Sequence, residues 1–210
     1  MAILINLNKN FNNTYEVVFD CNILTNSIEK ISESGTLYIY NFDPKTKKVG
    51  YVTIVSEKEL TNKQWSIVNK NLFDKILANC PNSLVIEDKA NIKIGKINAR
   101  NPHPKSEKLF ILDVDFGTKT NKIVTNTLYT TTEKYLAWYQ SGSITPQGME
   151  IKTNEVMGIS SDGMLCSAKS LGLNDKENLF ENNVINNIPI ESKNEYIGKN
   201  IEVVYKELLC

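Results

Sequence analysis

The sequence of 210 residues predicts two unlike parts, a small α+β segment over residues 1–87 and an all-β barrel or sandwich over residues 91–205. Three observations predict this division. Strand-like and helix-like patterns alternate through the first 80 residues. Beyond the junction at Asp88–Asn91 only short β-rich runs remain. The chain is also long enough to bury a substantial core, and 41% of its residues are hydrophobic.

In the first part, Leu37-Tyr38-Ile39-Tyr40 and Val49-Gly50-Tyr51-Val52-Thr53-Ile54-Val55 read as two strands. The turn chemistry of Asn41-Phe42-Asp43-Pro44-Lys45 makes them a hairpin with a longer loop. Thr61-Asn62-Lys63-Gln64 then has the form of a capping box. Trp65, Val68, Leu72 and Ile76 follow at helical spacing, widened by Phe73 and Leu77, which predicts an amphipathic helix of about four turns packed on a small sheet. Cys80-Pro81-Asn82-Ser83 ends it.

The second part offers five short strands: Ile92–Ile97, Leu109–Val114, Lys122–Thr125, Tyr135–Tyr139 and Ile201–Tyr205. Phe110, Leu112, Val114 and Phe116 alternate onto one face, and Leu109 and Ile111 make the opposite face apolar too. A strand apolar on both sides suits a barrel wall covered by extra segments.

Composition narrows the function classes. Lys and Arg total 24 and so do Asp and Glu, which excludes a uniformly basic protein. By segment the balance is uneven: residues 1–90 are neutral, residues 91–173 carry a net +3 and residues 174–210 a net −3. Asn occurs 27 times and Arg once, at Arg100, so a basic surface must be built from Lys point charges. No apolar run approaches the ~18 residues of a membrane span. Met1–Asn10 has no basic n-region, so no signal peptide is visible and the cytoplasm is the expected location. The four cysteines, Cys21, Cys80, Cys166 and Cys210, form no CxxC pair, and His103 is the only histidine. Free thiols are therefore expected, and neither a metal site nor a cofactor.

Two segments carry a resemblance. One runs Ile94-Gly95-Lys96-Ile97, His103-Pro104-Lys105-Ser106-Glu107-Lys108-Leu109 and Val114-Asp115-Phe116-Gly117. The other is Gly158-Ile159-Ser160-Ser161-Asp162-Gly163-Met164-Leu165-Cys166-Ser167-Ala168-Lys169-Ser170-Leu171-Gly172-Leu173. Together they resemble the tRNA-binding OB domain of the bacterial phenylalanyl-tRNA synthetase β subunit, many methionyl-tRNA synthetases and the endothelial monocyte-activating polypeptide family. The family reads Ala-Asp where this chain has Ser106-Glu107. Tyr38-Ile39-Tyr40-Asn41 and Val49-Gly50-Tyr51 extend the resemblance to the YtpR-type bacterial tRNA-binding proteins. Those proteins join a small α+β domain to the OB domain. The implied fold is an α+β amino-terminal domain followed by an all-β OB-fold barrel. One departure stands out: after Ile123-Val124-Thr125 the family continues with a Gly/Ala-Pro-Asn loop, and here the chain reads Asn126-Thr127-Leu128-Tyr129.

The resemblance implies a non-enzymatic, translation-associated protein whose barrel docks on the backbone and shape of tRNA. Lys93, Lys96, Arg100, Lys105, Lys108, Lys152 and Lys169 lie in or beside the motifs as candidate RNA-binding phosphate contacts, and Ser167 joins them as an outward-pointing neighbour. His103 reads two ways, as an RNA contact or as a ring that fixes its Pro-flanked turn. A Cys166–His103 dyad lacks an orienting third group, so no catalytic residue is assigned. Asp113 and Asp115 share a strand face and read as a metal pair or as a solvated strand end. The rival reading is a protein-interaction or chaperone-like module, either a homodimer or bound to a tRNA synthetase.

Overall fold

A computed structural model describes residues 2–89 and 91–210; Ala90, within the expected junction, lies outside the described residues. The protein is mostly β-sheet with few helices and divides into two compact units. The first holds Met1–Asn91 together with Gly142–Glu150 and Lys206–Cys210, and the second holds Ile92–Ser141 and Ile151–Tyr205. Gly142–Glu150 and the end of the chain thus leave the β-rich part for the first unit. Backbone and indole bonds fix the former: Cys21 N–H donates to Gly142 O at 2.8 Å and Trp65 Nε1–H to Ile144 O at 3.2 Å.

The first unit is a six-stranded antiparallel sheet. Its strands are β1 (Ile3–Asn6), β2 (Thr14–Val18), β3 (Ser27–Glu33), β4 (Thr36–Phe42), β5 (Val49–Ser56) and β6 (Trp65–Ile67). They lie in the order β3-β4-β5-β2-β1-β6. The expected hairpin is β4–β5, pairing Leu37 with Val55 and Tyr40 with Val52. A second hairpin, β3–β4, turns on Ser34-Gly35, both at positive φ (50° and 78°), the signature of a tight two-residue turn. Tyr15, Val17, Tyr38, Tyr40, Phe42, Val52 and Ile54 alternate onto one face, where α1 (Lys70–Ala78) adds Leu72 and Ile76. Tyr40 donates its hydroxyl to the Ile76 carbonyl at 2.7 Å, satisfying the one polar atom that this ring buries.

The helix is shorter than its apolar stripe predicts. Trp65–Ile67 pairs with β1 as a strand, all three residues buried, so the stripe mixes a strand with a helix. Asn69, not Thr61, caps the helix: its side chain accepts from Leu72 N–H at 2.9 Å. The supposed capping box is dismantled, with Thr61 Oγ1 accepting from Lys63 N–H and Gln64 Nε2 donating to the Asn6 carbonyl.

In the second unit a five-stranded sheet runs β13-β10-β7-β8-β9. The strands are β7 (Ile92–His103), β8 (Ser106–Asp115), β9 (Thr120–Thr125), β10 (Tyr135–Tyr139) and β13 (Met164–Leu165). A small hairpin joins β11 (Asn154–Val156) to β12 (Ile159–Ser161). The long β7 serves two partners: residues 92–96 pair with β10 and residues 96–103 with β8, with register shifts after Ile97 and after Pro102. The two edges then meet. Asp162 N–H donates to Lys122 O at 2.8 Å, Asn121 Nδ2 donates to Asp162 O at 3.2 Å, and Val124 N–H donates to Ser161 Oγ at 3.0 Å, while Met164 and Leu165 pair with Tyr139 and Trp138 on β10. The sheet is thereby closed by a few stitches rather than by a full strand.

Its core holds Ile97, Leu112, Val114, Phe116, Ile123, Leu136 and Trp138. Gly95 admits the Trp138 ring: a Cβ there would lie 2.6 Å from Phe116 and Val114 and 2.9 Å from the indole. Trp138 Nε1–H donates back to Gly95 O at 3.2 Å. Gly163, at φ 118°, passes against the Tyr139 carbonyl where a Cβ would approach to 2.6 Å.

The fifth expected strand, Ile201–Tyr205, is not a strand. Ile201–Val203 is a 3-10 turn, with Val204 and Tyr205 N–H both donating to Ile201 O. Val203 is half exposed where strand alternation would bury it, while Ile201 and Tyr205 are buried at helical spacing. This tail packs through Phe180 of α2 (Glu177–Asn182), whose ring lies 5.2 Å from that of Tyr205.

Candidate functional site

The two sequence motifs of the second unit converge on one cleft of about 400 Å³. It opens where the closing stitches stop, between the end of β9 and the short β13. Leu109, Val124, Val156, Met164 and Leu165 form an apolar floor, each only partly buried. Leu109 is therefore not covered by an extra segment, as two-sided burial of β8 implies, but faces the cleft. Tyr129 supplies an aromatic wall, and Asn126 and Ser167 stand on the rim. The loop Asn126–Tyr129, where the sequence departs from the expected pattern, thus lies in the site.

That loop is fixed from within. Thr127 N–H donates to Thr125 Oγ1 at 3.1 Å, and the buried Thr130 hydroxyl donates to Thr127 O at 2.7 Å. The Lys134 ammonium lies 5.8 Å above the Tyr129 ring and donates to Glu181 O at 2.8 Å. Partial burial raises the Tyr129 hydroxyl above its ordinary pKa. On the far side Ser167 Oγ accepts from Ser170 N–H at 3.2 Å, so Cys166 and Ala168 point inward while Ser167 and Lys169 point outward.

His103 is only 4% exposed and belongs to the framework around this cleft. Its Nδ1 accepts from Lys105 N–H at 3.1 Å. A backbone amide can only donate, so the ring proton sits on Nε2, which faces Val156 O at 3.3 Å. The ring therefore ties the tip of the β7–β8 hairpin to β11, whose Val156 lines the cleft.

The remaining candidates separate by their partners. Lys105, Lys108 and Lys169 are exposed, and none has an ion-pair partner among the described residues. The Lys105 ammonium hovers over Gly158, 3.1 Å from where a Cβ would stand. Lys96 is committed: it bonds Glu133 at 2.9 Å and lies 5.9 Å over the Tyr135 ring, and the Glu133 hydrogen bond raises its pKa. Arg100 stacks 3.4 Å over the Phe110 ring, with its Nε buried and unpartnered, so it seals the core edge with its flat face. Lys93 is half-buried, its backbone bridged to Asn200, and Lys152 is exposed.

The other polar candidates are structural. Asp113 pairs with Lys122 at 3.4 Å, and Asp115 accepts from Gly117 N–H at 2.7 Å, so each carboxylate has its own partner. No cluster of metal-ligating side chains occurs among the described residues. Cys166 is fully buried, its thiol pushed up to about 12 by burial, and its contacts are to Ser167 and Ser170 rather than His103. Sequence reasoning passes over Tyr129 and Leu109 as site residues. Tyr129 sits in a loop whose pattern is unfamiliar, and Leu109 reads as core.

Residues 92–187 match the family model described as "Putative tRNA binding domain". The chain is 34% identical over 115 residues to the phenylalanine–tRNA ligase beta subunit of Clostridium acetobutylicum, covering 54% of this chain and 14% of the relative. Against the same subunit from Campylobacter jejuni it is 37% identical over 81 residues, 39% of this chain and 10% of the relative. Against the "Putative tRNA-binding protein YtpR" of Bacillus subtilis it is 31% identical over 93 residues, 44% of this chain and 46% of the relative. The chain thus spans less than half the length of each of these relatives. No helix among the described residues is long and apolar enough to cross a membrane.

Proposed function

We propose that the second unit is an OB-type barrel that binds tRNA without catalysis, docking on its backbone and shape. The observation that carries this reading is that Lys105, Lys108 and Lys169, three exposed cations with no acidic partner among the described residues, lie in the two motifs that also line the cleft, inside the segment that matches the tRNA-binding family model. Several other lysines of the unit are neutralised locally, as at Lys96–Glu133 and Lys122–Asp113, whereas these three are charges available to phosphate. Lys152 and Lys93 are further candidate contacts of the same segment. Arg100 and His103 support the hairpin from which Lys105 and Lys108 project. Residues 1–87 are then a separate small domain and residues 91–205 the tRNA-binding part, except that Gly142–Glu150 of that span packs in the first unit, and the protein acts in the cytoplasm where tRNA is found.

Titration of labelled bulk tRNA at several salt concentrations tests the reading. Log K should fall linearly with log salt, with a slope of roughly −0.7 to −0.9 for each phosphate neutralised. Lys105→Glu, Lys108→Glu and Lys169→Glu together should weaken binding more than ten-fold and flatten the slope by about 2 to 3. Failure of the wild-type protein to bind tRNA at low salt overturns the proposal.

A second reading, association with a synthetase, is favoured by the two relatives that are ligase beta subunits. A stoichiometric synthetase that stays with the tagged protein after nuclease treatment would support it.

A further inference from the structure

We infer that the cleft beside Tyr129 receives one unstacked nucleobase from a single-stranded stretch of RNA, with adenine preferred. The inference rests on the RNA-binding reading above and deepens it, because shape-directed docking on phosphates gives an apolar cleft no role. A floor of Leu109, Val124, Val156, Met164 and Leu165 offers nothing to a phosphate, which would lose its hydration there without compensation. It suits the flat face of a base, which is apolar, and Tyr129 provides an aromatic ring at the wall. The ring is held ready by Lys134 above it and by the internal bonds of its loop.

The rim supplies the means of reading. Asn126 is exposed, and its amide makes no hydrogen bond within the described residues. An amide presents a donor and an acceptor side by side, the complement of the N6 and N7 edge of adenine. Thr125 Oγ1 and Ser167 Oγ each already accept one N–H, from Thr127 and Ser170, so the Asn126 amide is the rim group that offers a paired donor and acceptor. The surrounding charge agrees with the same occupant. Lys105 stands over Gly158, in the turn after cleft-lining Val156, the exposed Lys169 follows rim residue Ser167 by two positions in the chain, and no charged side chain lines the cleft itself. A base in the cleft with its flanking phosphates on those lysines uses both features together.

The test compares bulk tRNA with labelled single-stranded hexamers of A, C or U, by fluorescence anisotropy on the full chain. The wild-type protein should bind the A hexamer more tightly than the others. Asn126→Ala, at an exposed position that leaves packing intact, should erase that preference. Tyr129→Leu, which keeps an apolar side chain in the loop, should weaken hexamer binding roughly ten-fold while leaving the salt slope unchanged, because no phosphate contact is lost. If tRNA binds and neither substitution alters hexamer binding, the inference is overturned while tRNA binding stands. If neither tRNA nor any hexamer binds at low salt, the underlying reading fails with it. A dimer in sedimentation that Tyr129→Leu dissociates would also overturn it, by assigning the cleft to a second copy of the chain.

Discussion

The six-stranded sheet of the first unit ends on two separate strands, β3 and β6, whereas the five-stranded sheet of the second returns on itself through Ser161 and Asp162. The open sheet manages its outer strand β3 with charge, placing Glu29, Lys30 and Glu33 along it. The second sheet brings its outer strands β9 and β13 together, but that closure is made of a few bonds and stops short of Thr125. The cleft opens at that point. A sheet closed by stitches rather than by a full ladder therefore leaves unpaired apolar surface at a defined place. The open sheet has a cleft of its own, about 490 Å³ between the β3–β4 turn and α1, but Glu33, Glu57, Lys58, Glu59 and Lys75 line it with charge. Lysine pairing does not separate the units: Lys48, Lys70 and Lys89 of the first bond carboxylates, as do Lys96, Lys119, Lys122 and Lys176 of the second, while Lys105, Lys108 and Lys169 bond none among the described residues.

Each unit has its own core and one of the two tryptophans, Trp65 in the first and Trp138 in the second, so the comparison is open to experiment. In single-tryptophan variants, Trp65→Phe reports the second unit and Trp138→Phe the first. The largest effect should come from Gly95→Val. Its Cβ alone meets three core side chains at 2.6 to 2.9 Å, so overpacking should cost about 3 kcal/mol or more. The urea midpoint reported by Trp138 should fall sharply and that reported by Trp65 should stay. Loss of both transitions together would show that the two cores are not independent. Asn69→Ala should act on the first unit alone, by about 1 kcal/mol, because Leu72 N–H loses its cap.

The smallest effect concerns Glu16. Burial holds its carboxyl above the ordinary value, opposed by the Thr53 hydroxyl that donates to it at 2.7 Å. A raised carboxyl keeps its proton in the folded state after the unfolded chain has ionised. Stability from this group is therefore greatest below the unfolded value and is lost as pH rises through the folded one. Glu16→Gln should stabilise the first unit at neutral pH, and the gain should vanish in acid. A loss of stability at neutral pH would mean that the charged form is the one the fold favours.

The elements legible in the sequence are those whose signal is local. The β4–β5 hairpin follows from two β-branched and aromatic runs around a turn, and β10 has the predicted limits, Tyr135–Tyr139. The alternation of Phe110, Leu112, Val114 and Phe116 gives the core face of the second unit. The errors occur where spacing is ambiguous. Trp65 and Ile67 look like part of a helix because Val68, Leu72 and Ile76 follow at helical intervals, but pairing with β1 overrides that period. Ile201–Tyr205 looks like a strand because it is rich in β-branched residues, but only Asn200 finds a strand partner, Lys93, and the segment coils into a turn.

The same division holds for the site. The residues themselves determine that the second part carries the basic excess, that Lys rather than Arg supplies it, and that the motifs centred on His103 and on Gly163–Lys169 mark it. Local chemistry suffices for these, since charge count, residue type and the glycine at φ 118° all belong to single positions or short runs. Only the tertiary structure decides which cations are free, because Lys96 and Lys108 look alike until Glu133 is found beside one of them. It alone turns His103 from a candidate contact into the tie between Lys105 and Val156, and it alone brings Leu109, Tyr129 and Leu165 to one cleft. Those facts depend on which distant strands meet. Sheet closure sets that, through long-range pairing that no stretch of the sequence contains.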